Sequence, residues 1–572
     1  MRVGALPVVL AAVLVTSGCS LFSGTGERVA PSRAAATVVT SAPDTRLTVI
    51  ADEDPVASAV SVSRALFDEA AAVVVAREGD RPGTLLGSSA AVALGVPLLI
   101  EPRAGTATTT APAPGRSDAP GTPDPVAAEL RRLGAAEVLA VGTAAGHTAD
   151  SPAAGRHDVV RVPADLGAVE AVTGVRLRDA APVPADGDAA AVAALDPAAP
   201  AALRPEGPTP ATSSERPRPE LPRVTRADPL ASTVVLAAGS SESLAGIATA
   251  RAAGARVQLT GGGTDPRASE SVVRAVSSPG VRAVVALGAG FAHDDGLGWK
   301  LTTAETGTQL PGGGQLLFPG RLLVALYGHP GVPSLGVLGE QGLNASIERA
   351  RKHAVSYERL VRGPVVPAFE IIATVASGSA GPDGNYSNES EPAALRPWVE
   401  AAGRAGLYVL LDLQPGRTDF LTQARRYESL LTLPYVGLAL DPEWRLGPGQ
   451  LPLQQIGSVG IDEVNRVLGW LADVTRAHAL PQKLLVLHQF QLRMITGRER
   501  LDLSRDELAV TLHADGQGTQ GDKQATWRAL HENEPRGLHW GWKNFYDEDH
   551  PMLTGPQTMA SVRPTPNLIS YQ

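Results

Sequence analysis

The sequence predicts an α/β protein in two parts, N-terminal Rossmann-like repeat units followed by a C-terminal (β/α)8 barrel of the TIM type. Two observations predict it. From Leu322 onward eight apolar runs recur, several closing on a carboxylate or another polar residue, and most gaps between them carry a helix-like pattern. Between about Thr48 and Ala292, two stretches share the order strand, helix, strand, helix, strand. Short buried strands alternating with helices argue for parallel sheets covered on both faces.

The chain opens on a processing signal. Arg2 precedes an apolar run, Val3 to Val15, which is too short to span a bilayer as a mature helix. Thr16-Ser17-Gly18-Cys19 follows and resembles a bacterial lipobox, with Thr16 where Leu is usual. The resemblance implies a signal over residues 1–18, cleavage before Cys19, and a membrane-held, extracytoplasmic protein lipidated on that thiol. Cys19 is the single cysteine of the 572 residues, so no internal disulfide can form and the fold rests on core packing. Residues 19–45, rich in Ser, Ala, Thr and Arg, read as a flexible tether.

The first repeat unit is expected over residues 46–150. Its strands are Ala70–Ala76, Val96–Ile100 and the run ending Leu130–Gly142, with a helix through Ser88–Leu94. The second is expected over 151–292, with strands Ser232–Ala238, Ala255–Thr260 and Val281–Gly288, and a helix through Ser241–Ala253. The segments Gly-Val-Pro-Leu-Leu-Ile (95–100) and Leu-Gly-Ala-Ala-Glu-Val-Leu-Ala-Val-Gly (133–142) resemble the type 2 cell-wall-binding repeat of Gram-positive surface proteins. That resemblance implies a location facing the cell wall. The family's Arg-x-x-Gly-x-x-Arg opening is not evident, and a scaffold that supports the barrel and binds nothing is the alternative. Two low-complexity stretches, 103–124 and the Pro/Ala-rich insert 182–229, read as exposed loops, the second as a joint between units. Residues 293–315, polar and Gly-rich, read as a linker.

A net charge of −9 argues against bulk nucleic-acid binding. No Walker loop, zinc-type Cys/His spacing or Gly-rich dinucleotide turn occurs, so no cofactor and no metal are expected.

The barrel is expected over 316–572. Its strands are Leu322–Tyr327, Pro364–Ile372, Leu407–Asp412, Val436–Glu443, Lys483–Gln489, Leu508–Asp515, Gly537–Lys543 and Asn567–Tyr571. Active sites of this fold lie at the C-terminal strand ends. Those ends carry Glu370, Asp412, Asp441, Glu443, His488, Asp515, Trp542 and Lys543, and converging carboxylates suit acid/base chemistry such as glycoside hydrolysis.

Strand side chains alternate faces, so Gly437, Ala439, Asp441 and Glu443 share one. The Gly-x-x-x-Asp-x-Glu pattern there resembles the fourth strand of chitinase-type enzymes, and its Asp-x-Glu resembles barrel lysozymes. By that resemblance Glu443 protonates the glycosidic oxygen and Asp441 tunes it. The chain departs from the chitinase pattern at Ala439, where another Asp is expected. Glu370, Asp412 and Asp515 are candidates for nucleophile, water-activating base or sugar-hydroxyl ligand. A carboxylate cluster also suits a hard cation, but Arg, Lys and His share the rim, which ranks that reading lower.

Aromatic rings stack on sugar C–H faces, which makes Trp444, Trp542 and Tyr546 cleft candidates, whereas Trp470 and Trp527, on helix-like stretches, read as packing. His488, Gln489 and Lys543 suit sugar-hydroxyl recognition. The Gly/Ser/Asn-rich loop Ala376 to Pro392 reads as a lid. The barrel segment as a whole also resembles the C-terminal region of surface lipoproteins from high-GC Gram-positive bacteria. The expected protein is therefore lipid-anchored in the cell envelope, with a barrel that hydrolyses or binds a cell-wall or surface polysaccharide. The alternative is a non-catalytic wall-binding or scaffolding lipoprotein, since this fold hosts many functions.

Overall fold

The computed structural model describes residues 35–103, 124–144, 146, 155–207 and 220–572. Cys19 and the expected signal lie outside them. Among the described residues no helix is long and apolar enough to cross a membrane.

The C-terminal part is a closed barrel of eight parallel strands, Leu322–Gly328, Val365–Ala376, Tyr408–Leu413, Val436–Leu440, Lys483–Gln489, Leu508–Ala514, His539–Asn544 and Leu568–Tyr571. The first strand pairs with both the second and the eighth, which closes the ring. All eight apolar runs become barrel strands. Strand alternation separates two cores. Leu323, Ala325, Val366, Ala368, Leu410, Ala439, Leu484, Val486, Ala509 and Leu568 fill the lumen, and Leu310, Leu317 and Phe318 plug its floor. The intervening residues face the helix layer, in a separate core that includes Val324, Leu326, Ile371, Leu411 and Leu438. Gly437, on the lumen face, has no room for a side chain: a Cβ would stand 2.5 Å from the Leu484 carbonyl oxygen.

The N-terminal part contains two four-stranded parallel sheets. One runs in the order Leu98–Glu101, Ala72–Arg77, Glu137–Val141, Asp158–Val162, the other Arg256–Leu259, Thr233–Ala237, Ala283–Leu287, Leu47–Ile50. Each sheet holds three strands from one expected unit and takes a fourth from across the expected division at 150/151. Leu47–Ile50, from the first unit, completes the second sheet, and Asp158–Val162, from the second, completes the first. Helices Pro55–Leu66, Arg81–Leu94 and Leu244–Ala252 pack between the sheets, and one continuous core joins them. The Thr249 hydroxyl donates to the Leu98 carbonyl at 3.2 Å, tying the helix of one unit to a strand of the other.

Three segments expected to be flexible carry structure. Within the expected tether, Ala36–Thr40 forms a strand antiparallel to Phe67–Ala70. Residues 182–207 of the Pro/Ala-rich insert include helix Asp188–Ala193, and Arg81 grips Asp188 at 2.7 Å while Arg251 donates to the Leu195 carbonyl at 2.6 Å. The expected linker 293–315 contains helix Leu297–Glu305. Its Lys300 is buried and pairs with Asp294 and with Asp506 of the barrel part, and Trp299 lies between the guanidinium groups of Arg267 and Arg476, 4.5 and 4.6 Å from its ring. Composition alone misread these segments, because backbone rich in Pro and Gly can be ordered by side chains far away in sequence.

Candidate active site

The lumen face carries the site. Counting by twos from the packed floor brings Tyr327, Glu370, Asp412, Asp441, His488, His513, Asp515, Lys543 and Ser570 to the C-terminal mouth on that one face. Above them lies a cavity of about 760 Å³, lined by Asp441, Glu443, Asp515, Lys543, Trp444 and Tyr327 among others. Glu370, Asp412 and His488 form a layer beneath it, each with no exposed surface.

His488 organises that layer. Its Nδ1 lies 3.0 Å from Asp515 Oδ2 and its Nε2 2.9 Å from Glu370 Oε1. Burial alone would lower its pKa, but the two carboxylates outweigh it and hold the ring protonated, with the pKa well above the usual histidine value. Lys543 approaches Asp515 from the other side at 3.0 Å, and its ammonium stands 3.7 Å over the Tyr327 ring. Burial opposes the ionisation of Asp515 as well, yet Lys543 and His488 together pull its pKa far below the carboxylate range.

The other acids are pushed the opposite way. Burial, then the charge of Asp515, raises Glu443 to about 7. Burial and the neighbouring Asp412 raise Asp441 well above its ordinary value. Asp412 rises to about 6, chiefly through burial, while accepting a hydrogen bond from the Tyr327 hydroxyl at 2.9 Å. Glu370 is lowered, because His488 outweighs its burial. The mouth therefore holds two cations, two firmly ionised carboxylates, and three acids that keep their protons toward neutral pH. The charge that raises Glu443 is that of Asp515. Asp441, expected to tune it, instead caps the turn Pro442–Trp444 by accepting from the Glu443 amide at 3.1 Å.

The structure separates the remaining candidates. Trp444 and Lys543 line the cavity. Trp542 does not. It points outward, 1% exposed, packed edge-on against Trp527 of helix Gln520–His531, with its indole donating to Asn544 at 3.0 Å. Neighbours on a strand face opposite ways, so Lys543 and Trp542 cannot share the cleft. Gln489 is outward for the same reason: its amide donates to the Gln491 and Leu492 carbonyls and accepts from Arg498. Tyr546 lies outside the cavity wall, its hydroxyl 2.9 Å from His353. The expected lid is a hairpin, with Ser387–Glu389 paired to Thr374–Ala376; Val375, Ala376 and Gly378 contribute to the cavity wall.

Two members of the site were missed. His513 stacks on His488 with centroids 5.1 Å apart, and burial lowers its pKa to about 3, so a neutral ring lies against a charged one. It fits because its strand neighbour is Gly541, whose Cβ would meet the His513 ring at 3.0 Å. Tyr327 anchors Asp412. Both were legible by counting: His513 is two residues before Asp515, and Tyr327 pairs in register with Glu370.

Glu370, His488 and His513 each place a ligand atom within 4.8 Å of the others, the spacing of a metal trio. The donor geometry does not fit one ion. The imidazole planes are inclined by only 12° with centroids 5.1 Å apart, so their lone pairs lie in separate, nearly parallel planes and do not converge on one point, and both nitrogens of His488 are already held by carboxylates.

No family model and no curated protein sequence matches the chain. Among solved structures it is similar to Cwp6 from Clostridium difficile, at 11% identity over 66% of each chain with a TM-score of 0.30. It is also similar to a xylanase–α-amylase inhibitor protein solved with trehalose, at 13% identity over 44% of this chain and 92% of the other, with a TM-score of 0.28. Likenesses this low carry no functional argument, and the site's chemistry has to stand alone.

Proposed function

We propose that the barrel is a carboxylate-dependent glycoside hydrolase acting on a cell-wall or surface polysaccharide, with Glu443 as general acid and Asp515 as its ionised partner. One observation carries this reading. Glu443 and Asp515 open on one cavity but their pKa values are pushed apart, burial and then the charge of Asp515 raising the first to about 7 while Lys543 and His488 outweigh burial and hold the second ionised. Pairs of carboxyl groups pushed apart in this way divide into acid and anion.

Glu443 donates its proton to the glycosidic oxygen as the bond from that oxygen to the sugar carbon breaks. The positive charge that develops on the sugar faces Asp515. A general base works best with a pKa near the operating pH, and Asp515 lies far below it. Asp515 therefore suits attack on the sugar carbon, or electrostatic stabilisation of it, better than activation of water; after attack, water deprotonated by the now ionised Glu443 displaces Asp515 from that carbon, and such a double displacement retains the anomeric configuration. Lys543 and His488 keep Asp515 ionised, and Glu370 holds His488 from behind. Trp444 offers an apolar face to a sugar ring.

The test is reducing-end release from purified wall polysaccharides. Glu443→Gln should lower turnover by about 10²–10⁴-fold while leaving folding and glycan binding intact, because the amide fits the space but has no proton to donate. Turnover by Glu443→Gln at the rate of the unsubstituted chain would move the acid elsewhere. Glycan bound but never cleaved, across a broad panel, would leave the scaffold reading.

In this proposal the N-terminal sheets face the wall and Cys19 carries a lipid. Cys19→Ala should release the protein from the membrane fraction or block its maturation, since a diacylglycerol with two chains holds firmly where one chain does not. Normal signal cleavage with unchanged membrane retention would count against the anchor.

A further inference from the structure

We infer that the barrel cavity selects an uncharged sugar chain, one bearing hydroxyl and amide groups but no carboxylate or phosphate; this rests on the carbohydrate reading given above. The charged side chains lining the cavity are Asp441, Glu443, Asp515 and Lys543, and among the described residues no arginine reaches it. The one cation is already engaged, 3.0 Å from Asp515 and 3.7 Å over the Tyr327 ring. A carboxylate or phosphate entering here would lose its water shell beside three acids and find no guanidinium fork to replace it. Recognition of anionic polymers depends on such forks, whereas this wall supplies neutral groups. Gln414 is already engaged, accepting from the Ala376 amide at 3.0 Å and donating to the Tyr327 hydroxyl at 3.3 Å, but Gln491, Gln517 and Gln572 contribute neutral amides to the wall and Trp444 contributes an apolar face. That set matches the hydroxyl edges, amide substituents and C–H faces of neutral sugars.

A second consequence separates this from attraction between net charges. Binding through neutral hydrogen bonds and ring stacking is insensitive to ionic strength, while binding of an anion falls as salt rises. Protonation of Glu443 and Asp441 at neutral pH does not rescue an anionic ligand, because Asp515 stays ionised at the centre of the mouth.

The experiment is calorimetric titration of the full chain carrying Glu443→Gln, at low and high salt. The neutral probes are the tetramer of β-1,4-linked N-acetylglucosamine and mannotetraose. The anionic probes are tetragalacturonate and a glycerol-phosphate oligomer. At least one neutral probe should bind with an affinity that salt leaves unchanged, and adding Trp444→Ala should weaken it by about tenfold or more. Binding of an anionic probe that weakens with salt, and with Trp444→Ala or Lys543→Met, overturns the inference. A neutral probe that binds but is never cleaved by the unsubstituted chain leaves the inference standing and removes the hydrolytic reading. Silence from all four probes counts against both.

Discussion

Glu443 occupies surroundings that make its own ionisation costly. An ordinary glutamate titrates at 4.5 and this one at about 7, through burial and the fixed charge of Asp515. Between those pH values the folded protein keeps a proton that the unfolded chain releases, so folded stability falls as pH rises across the window. The contribution is complete below about pH 4.5 and gone above about pH 7. Glu443→Gln has no proton to lose. It should therefore match the unsubstituted chain at about pH 4 and exceed it at about pH 8.5 by about 1–3 kcal/mol, on the scale of 1.36 kcal/mol per pH unit. Denaturant midpoints at the two pH values measure this, and an equal difference at both would mean that Glu443 is not held protonated by the fold. A variant that loses turnover and gains alkaline stability is what a tuned acid yields, whereas a structural glutamate would lose stability instead.

At the scale of single elements, alternation along a strand decides who meets substrate. The eight strands were legible because each is a run of apolar residues bounded by turn chemistry, and a closed barrel buries both faces. Their polar ends were legible too: Glu370, Asp412, Asp515 and Lys543 all reach the mouth. Trp542 and Gln489, which point away from the cavity, adjoin Lys543 and His488, which face the lumen; His488 lies buried beneath the cavity with both nitrogens held by carboxylates, so it supports the site and offers no nitrogen to a sugar hydroxyl. The chemistry of Trp542 and Gln489 suits a sugar but their parity places them on the outer face, where an apolar ring is as well buried as one in a cleft. Glu443 lies past the strand end, in the turn Pro442–Trp444, where alternation no longer applies and only the cavity shows its aim. The charge pairings could not be read, since which cation meets which carboxylate depends on rotamers across strands far apart in sequence. Two tryptophans test the parity argument. Trp542→Ala should cost about 3–5 kcal/mol of stability, since it empties a packed site between the seventh strand and helix Gln520–His531. Trp444→Ala, at the half-exposed wall, should leave the unfolding midpoint nearly unchanged but weaken glycan binding. The opposite assignment of effects would place the wrong ring in the cleft.

Over the whole molecule, the parts expected to be beads on a string are interlocked. The first strand of one sheet comes from the other repeat unit, and a single core runs through both sheets. The segment before the barrel acts as its floor. Gln315 is fully buried, its carbonyl accepts from the Gln482 amide at 2.8 Å, and its side chain reaches the Thr303 and Thr308 carbonyls. Leu310 packs under the lumen with Leu317 and Phe318. Arg267, 1% exposed, donates to the Asp506 carbonyl at 3.2 Å, and Lys300 reaches the Asp506 side chain. A fragment beginning at Leu316 keeps Leu317 and Phe318 but loses Leu310 from under the lumen, the buried Gln315, and the Arg267 and Lys300 contacts to Asp506. Several buried groups go at once, each worth about 1–3 kcal/mol, and a domain of this size loses roughly 2–4 °C per kcal/mol. The Leu316–Gln572 fragment should melt at least about 10 °C below the full chain or fail to stay soluble. Proteolysis of the full chain should correspondingly spare residues 293–315, because cleavage needs backbone that is exposed and free of hydrogen bonds. A stable fragment with the full chain's melting point, or a first cut near Lys300, would show that the barrel stands without the segment that precedes it.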